Sequence, residues 1–180
     1  QQEAAIMAKN ENCIVVQDAT ALLKTVTTML ENAQSNHSFA ALVFPLAIVC
    51  GRRQTELLNG KSTLSPSPLG SMYVVIDGLL KKHGKAVPYT IPLLVEYATF
   101  VKGWNALREK QSELSNAGSY SKVKVTALSN KQVNTRYGKV LRRALLKSKP
   151  VVRGLPNGIN EHVMRSIYAS YVYHCFKCDS

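Results

Sequence analysis

Apolar and polar positions divide the chain into helical and extended segments. Leu22, Leu23, Val26, Met29 and Leu30 recur at the spacing of one helix face, and Asp18 stands ahead of them as an N-cap. Residues 39–49 are almost wholly apolar and follow Ser38, a second capping residue. A helix that is apolar all round belongs in the interior, and Pro45 should bend it. Gly51 suits the left-handed turn that closes such a helix. Residues 52–58 predict a short helix stopped by Asn59-Gly60, and residues 61–70, with Pro66 and Pro68, a loop.

The period then changes. Met72-Tyr73-Val74-Val75-Ile76 predicts a strand and Val87-Pro88-Tyr89-Thr90-Ile91 its return partner. Between them lies a basic turn carrying Lys81, Lys82, His83 and Lys85. Pro88 and Pro92 put the return strand at an edge or make it irregular. Residues 93–114 predict a long helix with Trp104 in the core, and residues 115–121 a flexible connector. Within 133–147, Val133, Tyr137, Val140, Leu141 and Ala144 share one helical face, while Arg136, Lys139, Arg143 and Lys147 share another. Residues 150–158 read as a second loop. Asn160 then caps a final helix, in which Tyr168, Tyr171 and Tyr173 are expected to pack on the apolar side. The fold class is α+β, mainly helical, with a small β-hairpin or sheet, and 180 residues fit one domain.

Charge alters this picture. The net +12 is unevenly placed: residues 1–119 hold 11 Lys/Arg against 9 Asp/Glu, and residues 120–180 hold 12 against 2. A basic half beside a nearly neutral half suggests a polyanionic partner, although a well-solvated face would look the same. No stretch reaches the roughly 18 apolar residues of a membrane span, and the opening residues lack the order of a signal peptide. An intracellular, soluble protein with no membrane association is the expectation. His174-Cys175-Phe176-Lys177-Cys178 contains one C-x-x-C, but Cys13 and Cys50 supply no second pair at zinc spacing. Reduced thiols and no metal are expected.

Two arginine-bearing segments carry the chemistry: Gly51-Arg52-Arg53-Gln54-Thr55-Glu56-Leu57 and Glu161-His162-Val163-Met164-Arg165. Cleaving a phosphodiester requires neutralising two non-bridging oxygens as phosphorus becomes five-coordinate. Arginine suits this because its planar fork donates two parallel hydrogen bonds and keeps its proton. A lysine on a hairpin can protonate the leaving 5′ oxygen. No carboxylate cluster accompanies these residues, which disfavours a two-metal nuclease. The plain alternatives are that Arg53 merely pairs with Glu56 and that His162 is a helix-start hydrogen bonder.

Taken in order, these segments resemble the catalytic domain of tyrosine recombinases, and more closely the telomere resolvases (protelomerases). Gly51-Arg52-Arg53-Gln54-Thr55-Glu56-Leu57 is similar to the first-arginine motif, in a register that makes Arg53 the phosphate-binding residue and leaves Arg52 to the neighbouring DNA backbone. Ile76-Asp77-Gly78-Leu79-Leu80-Lys81 resembles the approach to the hairpin lysine, with Lys82 and Lys85 as rivals to Lys81. Tyr89-Thr90-Ile91-Pro92-Leu93 is similar to the strand exit, and His162-Val163-Met164-Arg165 to the His-x-x-Arg box. Ser166-Ile167-Tyr168-Ala169 lies closer to telomere resolvases than to integrases, and Val133-Asn134-Thr135-Arg136 also resembles a segment before the box.

The resemblance implies a tyrosine-recombinase-like core in which Arg53, Lys81, His162 and Arg165 are catalytic. Arg52, Lys82, Lys85, Arg136, Lys139 and Arg143 are then expected to contact DNA. It implies cleavage and rejoining through a 3′-phosphotyrosyl link, without cofactor, to give covalently closed hairpin ends. The partner would be double-stranded DNA, bound by a homodimer in the cytoplasm of a bacterial or phage-infected host cell. The family's nucleophilic tyrosine follows the box arginine by some thirty residues, whereas this chain ends 15 positions after Arg165. The expectation is therefore a partial catalytic domain: a helical lead-in over 1–37 and a core over 38–180, truncated at its C-terminus, with the nucleophile outside. An ordinary integrase and a non-catalytic basic nucleic-acid-binding domain are the alternatives.

The charge distribution, together with the nucleophile that the resemblance puts outside the chain, makes one prediction at once. The chain should bind duplex DNA without cleaving it, with an affinity that falls linearly in log–log form as salt rises, measurable by fluorescence anisotropy across a salt series.

Overall fold

The computed structural model describes residues 15–16, 18–35, 39–58, 62–78, 87–116, 135, 152–153 and 161–175. Strand β1 (Val15–Val16) precedes helix α1 (Ala19–Glu31) and a single 3-10 turn, Ala33–Ser35. Helix α2 (Phe39–Cys50) leads to the short α3 (Gln54–Leu58). Three strands follow, β2 (Thr63–Pro66), β3 (Tyr73–Asp77) and β4 (Tyr89–Pro92), and then α4 (Tyr97–Asn116), β5 (Val152–Arg153) and α5 (Glu161–Cys175). Among the described residues no helix is long and apolar enough to cross a membrane.

Helix α2 is the central post. Residues 42–50 are all buried, as an all-apolar helix requires, and α1, α3, α4 and α5 each pack against it. Pro45 lies inside the helix without ending it. In α1 the Asp18 carboxylate accepts the Ala21 N–H at 2.8 Å, and Leu22, Val26 and Leu30 are fully buried. That is the cap and the stripe that the spacing predicts. Helices α1 and α4 cross closely at Gly103, where an added Cβ would lie 2.4 Å from Leu30 Cδ2. The turn after α1 is tied to α4: Gln34 Nε2 donates to Glu109 at 3.0 Å, and Lys110 Nζ donates to the Gln34 carbonyl at 3.2 Å. Trp104 is buried, as expected, and Arg108 lies over its ring at 4.3 Å. Burial lowers the Arg108 pKa to about 10.

The sheet is antiparallel with order β2-β3-β4. Val74 and Ile76 of β3 and Ile91 of β4 face the core. Strand β4 is at an edge, one of the two outcomes that Pro88 and Pro92 led to. Strand β2 corrects the reading of 61–70 as a loop. Its pairing runs from Thr63 opposite Asp77 to Pro66 opposite Val74, although only Leu64 among its four residues is even partly covered. Backbone bonds to β3, and not burial of its own side chains, hold it in place. Pro66 is tolerated because the strand lies at the sheet edge. The basic turn at 79–86 lies outside the described residues.

Helix α4 begins at Tyr97, later than the predicted 93. The Leu93 N–H is bonded to the Met72 carbonyl at 2.7 Å and the Leu94 N–H to the Val49 carbonyl at 3.0 Å. Leu93, Leu94 and Val95 are buried, and the first intrahelical bond runs from the Phe100 N–H to the Glu96 carbonyl at 3.0 Å, so the chain turns helical only past them. Residues 150–158 also depart from a simple loop, since Val152 and Arg153 pair with Val16 and Val15. In α5, Met164, Ile167 and Tyr171 are buried and Tyr168 is half-buried. Tyr173 is 59% exposed, correcting the expectation that all three tyrosines pack; it lies two positions past Tyr171 and so emerges on another side of the helix. The amphipathic segment 133–147 lies outside the described residues except for helical Thr135.

Gly51 links α2 to α3 at φ +64°, and a Cβ there would meet the Tyr168 ring at 2.2 Å. Gly51→Ala should therefore cost about 2–5 kcal/mol, combining left-handed strain with overpacking. In a Tyr168→Ala background the same substitution should cost only the left-handed strain, about 1–2 kcal/mol, and urea unfolding of both single variants and the double variant separates the contributions.

Candidate nucleic-acid interface

The site is assembled at the C-terminal end of α2. The Gly51 N–H still donates to the Ala47 carbonyl at 2.9 Å, completing the helix before its positive φ redirects the chain. The bare glycine face accepts the Tyr168 ring, whose hydroxyl donates to the Pro92 carbonyl at 2.7 Å. Helix α5 is thereby seated on the turn. Arg165, three residues before Tyr168, comes to the same open cleft as Arg52. Gly51, Ser166, Tyr168 and Ala169 complete the lining of this cleft, which holds about 320 Å³.

Glu56 organises the two adjacent arginines. It is 5% exposed, and its Oε1 lies 3.3 Å from Arg53 Nη1. Its Oε2 lies 4.0 Å from Arg52 Nη1 and accepts the Arg53 backbone N–H at 3.3 Å. This last bond is half of a capping box, the third helical residue reaching back to the N-cap of α3. Arg52 Nη1 donates to the Tyr89 hydroxyl, and the guanidinium lies 5.2 Å from the Tyr89 ring centroid. Arg52 Nε is buried and has no hydrogen-bond partner.

The residues singled out in the sequence distribute as follows. Arg52 and Arg165 share the cleft, while Arg53 stands beside it, partly exposed and paired with Glu56. His162 lies in the first turn of α5 by its backbone, three residues before Arg165; its side chain is outside the described set. Lys81, Lys82, Lys85, Arg136, Lys139 and Arg143 also lie outside it. Two site residues were not foreseen. Tyr89 read as part of the strand-exit segment and Tyr168 as a packing residue within Ser166-Ile167-Tyr168-Ala169, neither with a role at the site. Glu56 had a legible signal, its place three residues after Arg53.

Burial dominates the electrostatics beneath the cleft. It pushes the Cys50 thiol up to about 12, against the lowering effect of a backbone hydrogen bond and the positive charge of Arg52. Burial likewise raises the Tyr168 hydroxyl well above the usual phenol range. Both groups are neutral at physiological pH, so the charge facing the cleft comes from the guanidinium groups. Two half-buried guanidinium groups at one open mouth can bind an oxyanion through charge-assisted hydrogen bonds. Among the described residues no three His, Cys, Asp or Glu side chains gather into a group that could hold a metal ion.

The chain belongs to the telomere resolvase ResT/TelK catalytic-domain family, whose model matches residues 12–180. It is similar in fold to a variant of protelomerase tela covalently complexed with substrate DNA, with a TM-score of 0.68 and 20% identity over 97% of this chain and 54% of that one. A selenomethionine form of protelomerase tela, also covalently complexed with substrate DNA, gives 0.67 at 18% identity over 97% and 53%. Protelomerase TelK complexed with substrate DNA gives 0.63 at 22% identity, covering 99% of this chain and 34% of that one. The chain thus spans about half the length of tela and a third of TelK. No curated protein matches the chain at a significant level.

The second tyrosine of α5 gives a test of how this helix is anchored. The Tyr171 hydroxyl donates to the Ala19 carbonyl at 2.7 Å. Its pKa is pushed up to about 12, first by burial and then by the charges of Asp18 and Cys175. An unfolded tyrosine ionises near 10, so the stability contributed by the neutral form is complete below about pH 10 and is lost as pH rises through about 12. The urea midpoint should fall across that window in the wild type, and less steeply in Tyr171→Phe.

Proposed function

We propose that this chain is the catalytic part of a telomere resolvase, which cleaves double-stranded DNA through a 3′-phosphotyrosyl intermediate and rejoins it as covalently closed hairpin ends. The observation that carries the reading is the cleft shared by Arg52 and Arg165. Two arginines from segments far apart along the chain line one mouth, on a fold similar to that of protelomerases bound to DNA. Arg165 and Arg53 grip the scissile phosphate, Glu56 orients the Arg53 fork, and Arg52 contacts the DNA backbone within the cleft. His162, three residues before Arg165, supports the five-coordinate transition state.

The nucleophile is a tyrosine beyond this chain. Its oxygen attacks phosphorus, the bond to the 5′ oxygen breaks, and Lys81 gives that oxygen its proton. The energy of the broken bond is retained in the phosphotyrosyl ester, so a free 5′ hydroxyl can attack it across the axis and close the hairpin. Lys82, Lys85, Arg136, Lys139 and Arg143 add phosphate contacts, and two copies act together on one DNA site. The protein works as a DNA-associated enzyme in the cytoplasm.

A form of the protein extended through the family tyrosine, incubated with suicide-nicked DNA, tests this. A covalent adduct should form and should drop by about a hundredfold or more in Arg53→Ala and in Arg165→Ala, the usual cost of one preorganised donor. Undiminished adduct in both variants overturns the assignment. Exchanged strands in place of hairpins would indicate an ordinary recombinase.

A further inference from the structure

We propose that Tyr89 is a positioning residue for phosphate recognition, holding Arg52 at the cleft so that its guanidinium meets the DNA backbone beside the phosphate that Arg165 grips. The inference rests on reading that cleft as a phosphate site.

Arg52 sits in the non-helical link between α2 and α3, so its backbone neighbours do not fix its long side chain. An arginine free to explore its rotamers loses much of that freedom on binding an anion, and a side chain held beforehand does not. Glu56 is a weak holder. It lies 4.0 Å from Arg52 Nη1, beyond hydrogen-bond range, while its shorter contacts go to the Arg53 side chain and backbone. Tyr89 is better placed, because its hydroxyl accepts from Arg52 Nη1 and its ring stands 5.2 Å from the guanidinium carbon. Hydroxyl and ring both favour the charged fork.

Tyr89 is itself fixed. It occupies β4 opposite Ile76, half-buried against the core. The other end of the same strand, at the Pro92 carbonyl, receives the Tyr168 hydroxyl. Tyr168 lies three residues after Arg165 on α5, so one short strand touches both arginine-bearing elements. The spacing of the two guanidinium groups is therefore set by β4, with Tyr89 as its contact to Arg52.

The test uses the 180-residue chain and a fluorescein-labelled duplex oligonucleotide, read by anisotropy across a salt series. Arg52→Ala should weaken binding and reduce the log–log salt slope by about 0.9, the loss of one phosphate contact. Tyr89→Ala should weaken binding by up to about tenfold and move the slope toward that of Arg52→Ala. Tyr89→Phe, which keeps the ring and loses the acceptor, should fall between. Tyr89→Phe and Tyr89→Ala should add nothing further in an Arg52→Ala background, because a residue acting through Arg52 has no effect without it. Wild-type binding by both Tyr89 variants, or full additivity with Arg52→Ala, overturns the proposal while leaving the phosphate site standing. Unchanged binding and slope in Arg52→Ala and Arg165→Ala would instead remove the phosphate reading itself. If Tyr89→Ala melts below assay temperature, Tyr89→Phe and its double variant decide the matter.

Discussion

The seating of the Tyr168 ring on the bare face of Gly51 is the contact from which the rest of the site follows. It requires two things of one residue: a left-handed backbone at φ +64° and no Cβ in a space where the ring approaches to 2.2 Å. Glycine meets both, and no other residue does so without strain. With the ring in place, the Tyr168 hydroxyl reaches the Pro92 carbonyl and α5 lies against α2. Arg165 then lines the same open cleft as Arg52. Helix packing and candidate chemistry are thus coupled through a single close approach.

Around that contact, charge is handled economically. Glu56 is a buried carboxylate, and a buried charge without a partner would cost several kcal/mol. Two arginines stand over it, so one negative charge is balanced and positive charge remains toward the cleft. The arginine on the helix side, Arg53, takes the shorter contacts. The one on the cleft side, Arg52, takes the Tyr89 hydroxyl and ring. Cys50 and Tyr168, raised in pKa by burial, contribute shape without charge at physiological pH.

Much of the scaffold could be read along the chain. The Asp18 cap, the Leu22–Val26–Leu30 stripe, the wholly apolar α2 and the pairing of β3 with β4 each follow from spacing and residue type. Strand β2, the late start of α4 and the β1–β5 pair could not be read so. The β1–β5 pair and the bonds of Leu93 and Leu94 reach distant partners, whereas β2 pairs with the strand that follows it and escapes a hydrophobic periodicity that reports burial, which it hardly has. Tyr173 shows a smaller limit of the same kind, since an aromatic on a helix does not state which side meets the core.

For the candidate site, the chain by itself determined residue types and order: a glycine, two arginines and a glutamate in one segment, and a histidine and an arginine in another. Such chemistry is local, because a guanidinium binds an anion wherever it is placed. Only the tertiary structure decided which guanidinium lines the cleft, that Tyr89 contacts it, and that Tyr168 brings the second segment to the first. Those outcomes depend on the packing of α5 and β4 against the end of α2. Packing is a relation between surfaces far apart along the backbone, and no pattern within either segment contains it.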